Sequence, residues 1–510
     1  MTAEDSVKIM TGSDEDTGWD EWGGVAKMPG TQTSIDARSA LRAAVNAIAL
    51  RLPPGQGLPD PRHLSLLSEV EALDPPPVWT DSSARALAAL FAARARRDAL
   101  GDGASLVWRY FEGARLLKPA TLSTDSRALV LASAGEYLCA VGLPQVAVRF
   151  GREAQLFADS DALRYYALTV TALGFALNGE YTSADPAMRA ANDLFHDRGW
   201  PEAETSYVLL LADSLVSAAR MDHRGLHRVA QDLSRVHPSD PYSVYSARAI
   251  DAMSKLIHGD YAAGLAACQQ LLHGSERSMS HRFIRDFLLC IRSDILLAQG
   301  QYAEALGSLA TAESPEGHGI CFAMQRGGAL LLLGRERELL AETEACAASD
   351  ADHCLRTLTP LLLRRAIAFR RLGNDRRAAQ SMESALLLIA HTGNSMTPFI
   401  MLPPEECTEL VDAAVCTHPE LAETAAYIRA ALASVAAPVE APRTADELHG
   451  FTPTERALAD LLLTSLSLAD IARTRGVSLN TVKSQVRSIY LKLGVSARPE
   501  AVVELQRILA

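Results

Sequence analysis

The chain has 510 residues, too many for a single hydrophobic core, so two or more domains are expected. Hydrophobic residues make up 48% and charged residues 22%, and no apolar run approaches the length of a bilayer span, which excludes a helical membrane protein. The net charge of −12 would exclude a nucleic-acid binder only if it were evenly spread; Leu448 to Ala510 holds eight Lys/Arg and five Asp/Glu, or +3, leaving −15 for the rest.

In chain order, residues 1–33 are rich in Gly, Asp and Glu without apolar periodicity and are expected to be a disordered acidic N-terminus. They lack a basic-then-apolar export pattern, so a cytoplasmic protein is expected. Residues 34–81 read as an N-terminal helical cap. One helix starts near Ser34 and stops at Pro53-Pro54, and a shorter one covers about 63–73 before Pro75-Pro76-Pro77. From 82 to 435 an apolar helix, a glycine turn and a second apolar helix recur. The turn residues are Gly101, Gly142, Gly179, Met221, Gly259, Gly300, Gly334 and Gly373, spaced by 41, 37, 42, 38, 41, 34 and 39. Glycine takes the left-handed conformation that ends the first helix. GEYTSA from Gly179, GDYAAG from Gly259, GQYAEA from Gly300 and GNDRRA from Gly373 share a small residue five positions on, which lets the second helix pack closely.

This region resembles the tetratricopeptide repeat family, whose period is about 34 residues. The units here are mostly longer, most lack the consensus tryptophan and proline, and those at Met221 and Gly334 depart from the turn pattern. The resemblance implies a solenoid whose units are stabilised by their neighbours and which curves to offer a concave groove. Residues 436–447, in a stretch rich in Ala, Pro and Val, read as an extended linker.

Residues 448–510 carry their own helix punctuation. Thr452 is an N-cap with Pro453 at the first helical position and Glu455 completing a capping box, followed by a stripe of Leu458, Leu461 and Leu462. Ser467 starts a second helix with Asp470 in the box position, and Gly476 ends it. Ser478 caps a third, which runs to about Leu493 before Gly494, and a fourth covers about Arg498 to Leu509. At about 100° per residue, Val482, Val486, Ile489 and Leu493 share one sector of the third helix and must face a core. Asn480, Lys483, Ser484 and Arg487 lie opposite. A helix that buries one face and shows two cations with short polar groups on the other suits the DNA major groove.

TPTER from Thr452, SLADIA from Ser467, VSLNTVKSQV from Val477 and KLGV from Lys492 resemble the C-terminal domain of LuxR-type regulators across its whole length. The resemblance implies an all-α, four-helix helix-turn-helix domain that binds double-stranded DNA. Lys483, Ser484 and Arg487 would contact bases, and Asn480, Thr481, Gln485 and Lys492 would contact phosphates. Val502, Leu505 and Leu509 would supply a dimer contact, making a homodimer at least on DNA. Ser465 departs from the glycine usual before the second helix.

No GxxxxGK[ST] stretch, receiver-like strand–helix alternation or acyl-homoserine-lactone sensor pattern accompanies this tail. Neither HExxH nor GxSxG occurs, and His353 and His418, although near cysteines, are read as ordinary residues; no catalytic residue and no cofactor is expected. The eight cysteines form no CxxC pair. Cys346, His353 and Cys354, close together beside Asp350 and Asp352, are read as small buried cysteines flanking a solvated loop, with no metal expected. The expected protein is a transcription regulator whose repeats sense a protein, peptide or small ligand. The alternative is a helical scaffold whose C-terminal module docks a protein.

Overall fold

The computed structural model describes residues 74–348, 353–393, 395–435, 452–464, 466–493, 495 and 497–509. The expected disorder at 1–33, the helices within 34–73, the linker 436–447, Ser465 and Gly494 lie outside the described residues. The protein is mostly α-helical, and its chain divides into two compact units, one ending at Ser434 and one starting at Val435. Among the described residues no helix is long and apolar enough to cross a membrane.

The larger unit opens with strand β1 (Trp79–Thr80) and helix α1 (Asp81–Arg96), a one-turn helix α2 (Ser105–Trp108), and strands β2 (Phe111–Glu112), β3 (Arg115–Leu116) and β4 (Ala120–Thr121). β1 pairs in parallel with β4, and β2 pairs antiparallel with β3. Helices then follow in pairs: α3 (Thr124–Val141) and α4 (Pro144–Phe157), α5 (Asp161–Asn178) and α6 (Tyr181–Asp197), α7 (Tyr207–Ala219) and α8 (His223–Val236), α9 (Pro241–His258) and α10 (Tyr261–His273), α11 (Arg282–Ala298) and α12 (Tyr302–Ser308). After them come α13 (Phe322–Leu332), α14 (Glu336–Glu342), the short α15 (Glu344–Ala348), α16 (Leu355–Arg371), α17 (Asp375–Thr392), α18 (Pro404–Thr417) and α19 (Ala422–Val435).

Seven turns share one stereochemistry. Gly142, Gly179, Met221, Gly259, Gly300, Gly334 and Gly373 all have positive φ. In each, the N–H of the next residue closes back on the carbonyl five positions earlier, as in Leu143 to Leu138 at 2.9 Å, Asp222 to Ser217 at 2.9 Å and Asn374 to Phe369 at 2.8 Å. Met221 is therefore a true substitute for glycine. The residue five positions on is buried every time: Ala147, Ala184, Leu226, Gly264, Ala305, Leu339 and Ala378.

Gly101 does not join this set. The first turn is made three residues earlier by Asp98 (φ 57), with the Ala99 N–H on the Arg94 carbonyl at 2.9 Å. No long second helix follows it. The segment carries Gly101, Gly103, Gly113 and Pro119, which break helices, and its Tyr110 and Phe111 pack edge-on against Phe91 and Phe150.

Neighbour-on-neighbour packing does not describe this unit completely, because turns far apart in sequence also meet. Arg97 pairs with Asp240 at 2.9 Å and Arg285 with Asp98 at 3.2 Å. Cys354 Sγ donates to the Leu177 carbonyl at 3.1 Å, Thr182 Oγ1 to the Thr392 carbonyl at 3.1 Å, and the Met396 N–H to the Ala219 carbonyl at 2.8 Å. These ties join residues 143 to 210 positions apart, about four to five units along the chain.

The C-terminal unit has helices α20 (Pro453–Leu462), α21 (Leu468–Arg475), α22 (Leu479–Leu493) and α23 (Arg498–Leu509), within two residues of the expected boundaries. Both expected capping boxes are present, Thr452 with Glu455 and Ser467 with Asp470, and Gly476 ends α21 in the left-handed conformation. Leu458, Leu462, Ile471, Val482, Val486, Ile489 and Leu505 form its core.

Candidate functional site

Helix α22 is capped by Ser478, whose Oγ accepts the Thr481 N–H at 3.1 Å and lies 2.7 Å from Thr481 Oγ1. Val482 and Ile489 are fully buried and Val486 nearly so, which fixes the rotation of the helix. That rotation leaves Asn480, Thr481, Lys483, Ser484 and Arg487 exposed together. Neither cation has an ion pair with another described residue. Gln485, expected on phosphate, is half-buried and accepts from Arg475 Nη1 at 3.1 Å. The side chains of Leu493, Lys492 and Leu509 lie outside the described residues.

Two residues fix α22 in place. Glu455 is 6% exposed; besides accepting the Thr452 N–H at 2.7 Å, it accepts the Ser488 hydroxyl at 2.8 Å, tying α22 to the start of α20. Arg498 donates to three backbone carbonyls at and just past the end of α20, Leu462 at 3.1 Å, Thr464 at 2.7 Å and Leu466 at 2.6 Å, and so docks α23. Glu455 was legible as a cap but not as a bridge, and nothing local marks Arg498. At the start of α21, the Ser467 hydroxyl and N–H hold the exposed Asp470 carboxyl below the usual carboxylate range.

One of the three residues expected at a dimer contact requires a correction. Leu505 is fully buried in the core of its own unit, beside Leu458 and Ile489, so it has no face for a second copy; Val502 is half-buried. Among the described side chains of α23, Ala501 and Leu505 are the fully buried ones.

Among the described residues of the helical unit, clefts of about 850 Å³ and 790 Å³ with their mouths included share Leu215 and Phe287 as a wall. The first is apolar, with Leu173, Leu177, Leu211 and Ile284 in its lining and one polar wall. There Arg96 holds Glu136 through two bonds of 2.8 and 3.0 Å, and the Tyr166 hydroxyl donates to the same carboxylate. Burial opposes the Arg96 charge, but Glu136 outweighs it and keeps the guanidinium protonated. Burial, reinforced by Glu136, pushes the Tyr166 hydroxyl well up. In the second cleft, burial raises the Asp294 carboxyl to about 6 against the pull of Arg364.

Of the three residues singled out between 346 and 354, Cys354 bonds Leu177 as described, whereas Cys346 and His353 meet His318 and Cys321. Compared with models of known protein families and with curated proteins, the chain matches none.

Proposed function

We propose that the protein is a sequence-specific DNA-binding transcription regulator. In this reading the C-terminal unit is a LuxR-type helix-turn-helix domain, and the larger unit is a tetratricopeptide-like solenoid that receives an effector. What carries the reading is the exposed face of α22: Lys483, Ser484 and Arg487, with Asn480 and Thr481 beside them, opposite a buried Val482–Val486–Ile489 seam. Arginine and lysine on such a face donate to guanine O6 and N7, while hydroxyl and amide groups hold phosphates or base edges. The +3 charge of residues 448–510 favours a polyanion although the whole chain is acidic. The apolar cleft with its Arg96–Glu136 wall suits a small, mainly apolar effector carrying one or two polar groups.

One feature favours the second reading, a protein-docking module: Val477 and Leu479 beside this face are 39% and 38% exposed. Binding of the full chain to duplexes selected from a random pool separates the two. DNA binding through several phosphates weakens steeply as salt rises, and apolar docking does not. Arg487→Ala should lose on the order of 1–3 kcal/mol, roughly 5- to 150-fold in Kd, and relax the sequence preference at matched salt. Unchanged affinity and preference in Arg487→Ala would remove the reading.

A further inference from the structure

We propose that His318, Cys321, Cys346 and His353 form a tetrahedral site for a zinc-class divalent ion, built into the helical unit. His318 lies in the turn before α13, Cys321 is the N-cap of α13, Cys346 sits on α15, and His353 precedes Cys354, the N-cap of α16. Their ligand atoms all lie within 4.8 Å of one another. Cys321 Sγ and Cys346 Sγ are 3.7 Å apart, and Cys346 Sγ is 3.7 Å from His318 Nδ1. Metal–sulfur bonds of about 2.3 Å and metal–nitrogen bonds of about 2.0 Å at tetrahedral angles place sulfurs about 3.8 Å apart and sulfur from nitrogen about 3.5 Å. The Cys321–Cys346 and Cys346–His318 edges already have that size, and the widest spacing in the set, 4.8 Å at most, needs to close by about 1 Å.

The surroundings complete the pattern. His353 is 2% exposed, and its Nδ1–H donates to the Cys354 carbonyl at 3.0 Å. That bond fixes the tautomer, so Nε2 carries the lone pair, and Nε2 is buried with no hydrogen-bond partner. A buried imidazole nitrogen with an unused lone pair calls for a hydrogen-bond donor or a metal ion, and with two thiols and a second imidazole around it a metal ion fits. Cys321 Sγ accepts the Met324 N–H at 3.3 Å at the positive end of α13, an arrangement that steadies a thiolate. Two thiolates and a divalent cation sum to zero charge, so the filled site is compatible with burial of Cys321 and Cys346 at 1% and 5% exposure.

Softness and geometry choose the ion class. Two sulfurs and two imidazoles in a tetrahedron suit zinc, whereas calcium and magnesium need oxygen ligands. All four positions come from the protein, leaving none open for substrate, so the ion is structural. It joins the turn before α13, α15 and the start of α16, and Cys321 and Thr357 carry that junction into the wall of the second cleft. The site escapes a sequence scan because only two residues separate His318 from Cys321 and six separate Cys346 from His353, but the two halves are 24 residues apart.

The test is elemental analysis of the full chain purified without chelator, followed by cobalt(II) titration of the metal-stripped chain. One zinc per chain is expected, with cobalt giving the visible bands of a tetrahedral ion and a near-ultraviolet thiolate charge-transfer band. Cys321→Ser/Cys346→Ser should lose both signals, and Cys416→Ser, at an exposed cysteine, should keep them. Should the double variant not fold, the unmutated chain still decides, since cobalt spectra without thiolate charge transfer overturn the site. Zinc far below one equivalent, a Cys321–Cys346 disulfide in fresh protein, or unaltered cobalt bands in the folded double variant would each overturn it too.

Discussion

Gly179 and Gly259 end equivalent helices with nearly the same backbone, φ of 90° and 85°, yet their surroundings differ. A methyl group on Gly259 would meet nothing within 4 Å, whereas on Gly179 it would lie 2.9 Å from Arg356 Cα and 3.0 Å from Arg356 N. Alanine at either position pays about 1–2 kcal/mol for the left-handed conformation and recovers about 0.4–1 kcal/mol through a less flexible unfolded chain. Gly259→Ala should therefore cost about 1 kcal/mol. At Gly179 the obstacle is backbone at the start of α16, which cannot rotate away, and an overpacking cost of about 1–3 kcal/mol adds to the first, for a total near 3 kcal/mol. Urea unfolding of both variants in the full chain, followed by helical circular dichroism, measures the difference. The same segment carries His353 and Cys354, so Gly179→Ala should also weaken metal retention while Gly259→Ala leaves it alone. Equal destabilisation of the two variants within about 0.5 kcal/mol would refute the assigned close approach.

Arg498→Ala should loosen the C-terminal unit by about 2 kcal/mol, because the buried end of α20 loses a charged donor while the exposed Thr464 carbonyl regains water. Hydrogen exchange of the α20 amides should accelerate on the order of 30-fold, and Arg498→Lys should not restore it, since one ammonium cannot span three carbonyls. Burial raises Asp286 to about 6, above its unfolded value, so its neutral form is favoured by folding, and stability falls as pH rises from about 4 through 6. Asp286→Asn should leave stability near pH 4 unchanged and raise it at pH 7 by at most about 3 kcal/mol; a pH-independent difference in urea midpoints would contradict this.

What was legible in the chain was local. The two capping boxes and the glycine turns are set by residues within one helical turn of each other, and Met221 could be placed by spacing alone. Gly101 misled because its neighbour Asp98, held by Arg285 from 187 positions away, takes the left-handed role instead. Val482, Val486 and Ile489 revealed their buried side through periodicity, and with it the exposed side of Lys483 and Arg487. Leu505 shows the limit of the same argument: an apolar stripe says that a face is covered, not by what. His318 and Cys321 carried no signal, because the fold rather than the spacing brings them to Cys346 and His353.

The ties between turns far apart along the chain bear on how the protein is made. Asp98 must wait for Arg285 to emerge, and at about 5–20 residues per second that delay is about 10–40 s. Through that interval the early turns lack the partners they meet in the finished fold. The growing chain therefore passes through a stage in which those turns are open to chaperones and to wrong pairings. A ribosome pausing between residues 182 and 392 would prolong its life, since Thr182 meets the Thr392 carbonyl only after that stretch has been translated.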